Sequence, residues 1–190
     1  MAINRVPTKE FFISRGIIIN SSDSGCPWCE RVAESTNHLF FECSFVKRFW
    51  SLIFCWWGLR WKDVANFEEF FSFCWRVSLS GIQKSLWLLA VSAACWSGWI
   101  SRNEKVFEGK ATTLDLIYQT KLRSFVWARV VYEECIFTES DWWGWPRKSS
   151  LGLEMVVLMA IKVAIEMFSN LFHKVQLPLI IELDLNTVLN

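Results

Sequence analysis

The sequence has no surplus of charge of either sign. Twenty Lys and Arg stand against 19 Asp and Glu, for a formal net charge of +1. A basic stripe is not hidden in either flank: residues 1–50 carry six cations and five anions, and residues 101–150 carry eight and seven. Charge alone therefore announces no nucleic-acid partner, and any such binding must come from local geometry or a partner domain. Charged residues make up only 21% against 53% hydrophobic, which excludes disorder for most of the chain. No apolar h-region follows Arg5 and Lys9, so the N-terminus does not read as a secretory signal. A cytosolic or nuclear setting with reduced thiols is the expectation. Long apolar runs are also missing. The uncharged stretch between Lys84 and Arg102 falls short of the roughly 20 residues of a bilayer span, and Ser85, Ser92, Ser97 and Ser101 dilute it. It reads as a buried core helix, with no membrane partner.

What is abundant is aromatic: 13 Trp and 16 Phe in 190 residues, enough for one domain, or one domain plus a fragment, with a dense interior. Apolar spacing lays out mainly helices. Thr8 is an N-cap candidate for a short helix to Arg15, followed by Gly16 and the polar turn of residues 20–25. Leu39, Val46, Phe49, Trp50, Ile53 and Trp56 predict a helix from Ser35 to near Gly58. Asn66 with Glu69 forms a capping-box pattern ahead of Phe70, Phe71, Cys74 and Val77. A third long pattern runs from about Gln83 to Asn103 on Leu86, Leu89, Ala90, Ala93, Trp96 and Ile100. A fourth runs through Leu114, Ile117, Tyr118, Leu122, Phe125, Val126 and Val130. Residues 138–150 mix Trp with Gly, Pro and Ser and read as a linker, with a domain boundary at 147/148. Beyond it lie a helical pattern from Glu154 to Phe172 and a strand-like run, Leu179 to Leu183.

Chemistry concentrates in one place. Cys26, Cys29, His38 and Cys43 follow the spacing Cys-x2-Cys-x8-His-x4-Cys. Two thiolates on a tight knuckle, one imidazole and a third thiolate close a tetrahedron, the soft S₃N set that zinc prefers. A site with no open position is structural rather than catalytic. A lone Cys-x2-Cys would read as free thiols, but the added His and Cys, in a chain with only two His, point to zinc. His38 and Cys43 are five residues apart, close to one helical turn, so both can point at one ion if that turn is slightly distorted. Trp28, Phe40 and Phe41 beside the ligands are suited to stacking on bases, but read first as cover for the metal. Cys55, Cys74, Cys95 and Cys135 have no partner at ligand spacing and read as small core residues.

These motifs carry a resemblance. Arg5, Pro7, Thr8, Lys9, Arg15 and Gly16, then Cys26-Pro-Trp-Cys29, Glu34, His38, Cys43 and Trp50, resemble the zinc-binding domain found after the reverse transcriptase of plant LINE-type retrotransposons. Trp96, Trp99, Arg102, Asn103, Val106 and Phe107 resemble the downstream signature of that family, so the likeness covers roughly residues 5–130. It implies the same four ligands, no catalysis, and a role in holding nucleic acid or organising a polyprotein. With no polymerase in the chain, the product is expected to be a truncated remnant. The tail from His173 through Pro178, Glu182 and Asp184 resembles part of an RNase H-like domain. Asp184 stands where such a nuclease holds metal. The helix position of its Glu is taken by Val157, however, with Glu154 one turn earlier, and a two-metal site needs its full carboxylate set.

The expectation is therefore a mainly α fold: a zinc-knuckle-headed helical domain over residues 1–147 and a helix-strand fragment of an RNase H-like α/β domain over 148–190. The expected function is a non-enzymatic zinc module with an accessory nucleic-acid role, for RNA or single-stranded DNA. The alternatives are a protein-interaction module using Trp142, Trp143 and Trp145 as an exposed patch and, last, a residual hybrid ribonuclease.

Overall fold

A computed structural model describes residues 6–17, 24–110, 115–131 and 138–144. Helix α1 (Lys9–Ser14) begins where expected, because Thr8 Oγ1 accepts from Phe11 N at 3.3 Å. Residues 24–34 then form a short hairpin-like knuckle, tied by one antiparallel bridge between Gly25 and Ala33. Among the described residues there is no longer strand.

The helix expected from Ser35 is broken in two. His38–Glu42 is a single π-helical turn, closed by the Cys43 N–H donating to the His38 carbonyl at 3.0 Å. Cys43 is extended, and α2 (Ser44–Trp56) starts directly after it. The indole N–H of Trp50 donates to the Phe40 carbonyl at 2.8 Å and so satisfies an acceptor in that wider turn. Helix α2 buries Val46, Phe49, Trp50, Ile53, Phe54 and Trp56, and Gly58, at φ 63°, supplies the left-handed residue beyond its end.

Helix α3 (Phe67–Trp75) carries the expected cap: Asn66 Oδ1 accepts from Glu69 N at 2.9 Å. In return the Glu69 carboxylate accepts from the Ala65 N–H at 3.0 Å, one residue before the cap. Helix α4 (Gly81–Glu108) is longer than its pattern, ends at Gly109 with φ 65°, and is buried along two faces because it runs through the middle of the molecule. That placement accounts for its uncharged stretch. No described helix is long and apolar enough to cross a membrane.

Helix α5 (Asp115–Val131) makes the largest helix-to-helix interface, against α4. The face it buries is only partly the one the apolar spacing predicts: Phe125 is buried and Ile117 packs half-buried on the core. Tyr118, Leu122, Val126 and Val130 are exposed, whereas Leu116, Thr120, Ser124, Phe125 and Ala128 are buried. Small side chains let the two helices approach closely, and the hydroxyls lose nothing by burial: Thr120 donates to the Leu116 carbonyl and Ser124 to the Lys121 carbonyl. Leu114 lies outside the described residues.

Part of the expected linker is folded. Thr138 and Asp141 cap one another at the start of α6 (Glu139–Gly144), and Trp142, only 1% exposed, is driven into the core. Its indole N–H donates to the Lys121 carbonyl at 3.0 Å, its own carbonyl accepts from Trp56 Nε1 at 2.9 Å, and its ring meets Trp56 and Trp57 edge-on. A patch of exposed Trp at 142–145 is thus corrected: Trp142 is core, Trp143 is half-buried against Tyr118, and Trp145 is outside the described residues. The boundary at 147/148, the patterns at 154–172 and 179–183, and Glu154, Val157, Asp184 and Cys135 also lie outside them.

Candidate metal centre

The knuckle is built by backbone bonds that leave its sulfurs pointing to one side. Cys26 N donates to the Val32 carbonyl at 2.7 Å, Glu30 N to the Cys26 carbonyl at 2.8 Å, and Glu34 N to the Ser24 carbonyl at 3.0 Å. The turn requires a left-handed residue, and Glu30 takes it at φ 56°. Opposite the knuckle stands the π turn. Its extra residue rotates His38 and Cys43 onto a common side, which an ordinary helical turn does not do for residues five apart.

The result is that Cys26, Cys29, His38 and Cys43 converge, with all four candidate ligand atoms within 4.8 Å of one another. A tetrahedral zinc with Zn–S bonds of about 2.3 Å has sulfur–sulfur edges of about 3.8 Å, so the donor set fits such an ion with small adjustments. Cys29 Sγ already lies 3.3 Å from His38 Nε2. The other ring nitrogen, Nδ1, is 3.8 Å from the half-exposed Glu42 carboxylate, too far for a hydrogen bond. Ser35 Oγ accepts from His38 N at 3.1 Å and fixes the start of the turn.

Two of these sulfurs, on Cys26 and Cys43, are fully buried and their thiols are shifted in opposite directions. The Cys26 thiol is pushed well above the ordinary range, first by its hydrogen bond with Cys43 and then by burial. Cys43 is pulled below that range, first by the bond from Cys26, with help from the Phe45 and Val46 N–H groups at the head of α2. A thiolate at a helix N-terminus is a prepared metal ligand. The remaining cysteines differ. Burial drives the Cys74 thiol upward and the Cys95 thiol to about 12, so both are inert core groups. Cys55 is exposed, contrary to its expected core position, because it falls on the solvent side of α2.

The aromatic neighbours of the site face inward. Phe40 and Phe41 are buried against Phe67 and Phe70, and Trp28 stacks on Phe45 at 5.0 Å. They cover the centre and do not offer free rings to a base.

Residues 1–50 match a family model described as zinc-binding in reverse transcriptase. The matched stretch contains all four converging residues and ends at Trp50, in the middle of α2. No curated protein and no solved structure matches the chain.

What sequence reading missed here is the second half of the support. Glu34 is completely buried and receives Arg102 Nε at 2.7 Å and Nη2 at 2.8 Å. The signal was present, since both residues sit in the motifs singled out, but nothing in the spacing of positions 68 apart says that they meet.

Proposed function

We propose that this chain is a structural zinc module of retroelement origin, of the plant LINE type, which accompanies a reverse transcriptase and holds nucleic acid, without catalysis of its own. The observation that carries it is the closed set of three sulfurs and one imidazole inside the segment that matches the reverse-transcriptase zinc-binding family. Four protein donors leave no position for a substrate or an activated water, so the ion's work is to hold the knuckle against the first turns of the helical body. Among the described residues no other group of three His, Cys, Asp or Glu side chains converges.

Support for nucleic-acid contact comes from α3 and not from the metal's surroundings. Phe71 and Trp75 lie one turn apart and are 45% and 54% exposed, and Lys84 Nζ sits 5.7 Å from the Trp75 ring. Exposed rings beside cations suit stacked bases of a single strand. The exposed stripe Tyr118, Leu122, Val126 and Val130 on α5 favours a second reading, a protein-docking role.

The test is metal content of the purified chain, followed by retention of single-stranded RNA with and without zinc over a range of salt. One zinc per chain, lost in Cys26→Ser and Cys43→Ser, is expected, with RNA binding that weakens as salt rises. Absence of zinc removes the whole reading. Zinc without RNA retention at low salt removes the nucleic-acid part and leaves the docking role.

A further inference from the structure

The metal-binding family match stops at Trp50, yet the most deeply buried charge on the knuckle is neutralised from 68 positions downstream. Glu34 closes the knuckle and is 0% exposed; Arg102, near the end of α4, is 2% exposed. Their contact is a two-point fork, and the same carboxylate accepts from Lys9 N at 3.3 Å at the head of α1. Lys9 in turn donates its ammonium to the Gly25 carbonyl at 2.9 Å, on the knuckle's other arm. Arg102 is held from its own side, over the Trp99 ring at 5.1 Å and by Nη1 donating to Asn103 Oδ1 at 2.9 Å. A looser pair, Lys105 to Glu30 at 3.4 Å, joins the same two bodies at the surface.

Beyond these contacts and Trp28 stacked on Phe45, residues 24–34 have little to hold them. Val32, Arg31 and Ala33 are exposed, and only Cys26, Pro27 and Glu34 are buried. A buried carboxylate whose partner is removed is strongly destabilised, so this pair holds the knuckle in one place or not at all. An ordered knuckle has less to lose on taking up an ion, and apparent affinity rises accordingly.

We propose that the Glu34–Arg102 bridge is the positioning element that sets the affinity of the Cys26, Cys29, His38 and Cys43 site for zinc. The working metal module then extends through α4 and does not end with the matched segment. The inference rests on those four residues forming the metal site. Reciprocity requires the converse: zinc on the knuckle stabilises the last turns of α4.

The experiment has two arms on the full chain. Zinc affinity is measured by competition with a chromophoric chelator for the unsubstituted chain, Arg102→Met, and the double variant Glu34→Met with Arg102→Met. Amide exchange over residues 97–108 is compared with and without zinc in the unsubstituted chain. Arg102→Met strands a buried carboxylate and is expected to weaken zinc binding about tenfold or more, while Co²⁺ substituted into it keeps the absorption of a tetrahedral S₃N site. The double variant, which strands no carboxylate, recovers only part of the loss; full recovery would place the whole cost in the stranded charge and overturn the inference. Zinc slows exchange at 97–108. Affinity in Arg102→Met within about twofold of the unsubstituted chain overturns the inference, because a pair that holds the knuckle in place cannot be broken at so small a cost. So does exchange at 97–108 that ignores zinc, and that comparison stands alone should Arg102→Met fail to fold. If the unsubstituted chain takes up no zinc, the metal reading itself falls.

Discussion

Truncating Trp142 to Ala tests whether α6 is part of the folded body or a connector that merely rests on it. A Trp side chain buries about 150–250 Å², and at about 25 cal/mol per Å² its removal from water is worth about 4–6 kcal/mol. Trp142 is 1% exposed, so nearly all of that area is at stake. Measured Trp and Phe truncations in cores fall at about 3–5 kcal/mol. The hydrogen bonds add little, because the Lys121 carbonyl keeps its bond from Ser124 when the indole is gone. The expected loss is therefore about 4 kcal/mol, out of a total of about 5–15 for a domain. In urea, with a slope of about 2 kcal/mol per molar, the midpoint falls by about 2 M. Trp143→Ala is the control. Its ring is half-buried and stacks on Tyr118 at 4.8 Å, so about 1 kcal/mol is expected. Equal and small losses in the two variants, both below about 1 kcal/mol, would show that residues 138–144 are a connector after all.

Two further outcomes follow from groups already described. Zinc displaces thiol protons, and the Cys26 proton is held above the ordinary range, so affinity must fall as pH falls. Each thiol still protonated adds about one decade per pH unit, so a fall of at least about one decade per unit is expected on acidification in a chelator competition, and a flat profile would mean that thiolates are not the ligands. Asn66→Ala removes the acceptor of the Glu69 N–H and should cost about 1 kcal/mol in the same urea assay.

How much of this was legible beforehand depends on the range of the signal. Local chemistry read well: the Thr8 cap, the Asn66 and Glu69 cap, and the four converging side chains are all set by residues close in sequence. The buried face of α5 read only in part. Apolar spacing places Ile117 and Phe125 on the core but also favours Tyr118, Leu122, Val126 and Val130, where a close crossing with α4 selects small residues instead, and Thr120, Ser124 and Ala128 satisfy that need. The α6 cap was readable in principle, because Thr138 and Asp141 stand three apart in the usual capping pattern. Gly and Pro nearby hid it. The Glu34–Arg102 bridge had no local signature at all, since a charge in an apolar stretch declares only that it needs a partner and not where the partner is.

Removing zinc from the whole chain should divide it unevenly, and the division follows from where the apolar side chains are. Small zinc domains unfold without their ion because metal is their core. Here the body has a core of its own: Trp50, Ile53, Phe54, Trp57, Phe70, Leu86, Trp87 and Ala90 are all nearly or fully buried, and none of them is a ligand. The knuckle has few, chiefly Trp28 stacked on Phe45, so its order rests largely on the ion, the buried Glu34–Arg102 pair and the Lys9 bond to the Gly25 carbonyl. Chelation is therefore expected to leave most of the far-ultraviolet helical signal in place, while residues 24–43 become open to proteolysis. Cleavage should begin near the exposed Arg31 and Val32. If chelation instead abolished helical signal throughout, the aromatic body would have to depend on the metal for its fold, and the separation of an ion-held knuckle from a self-supporting bundle would be refuted.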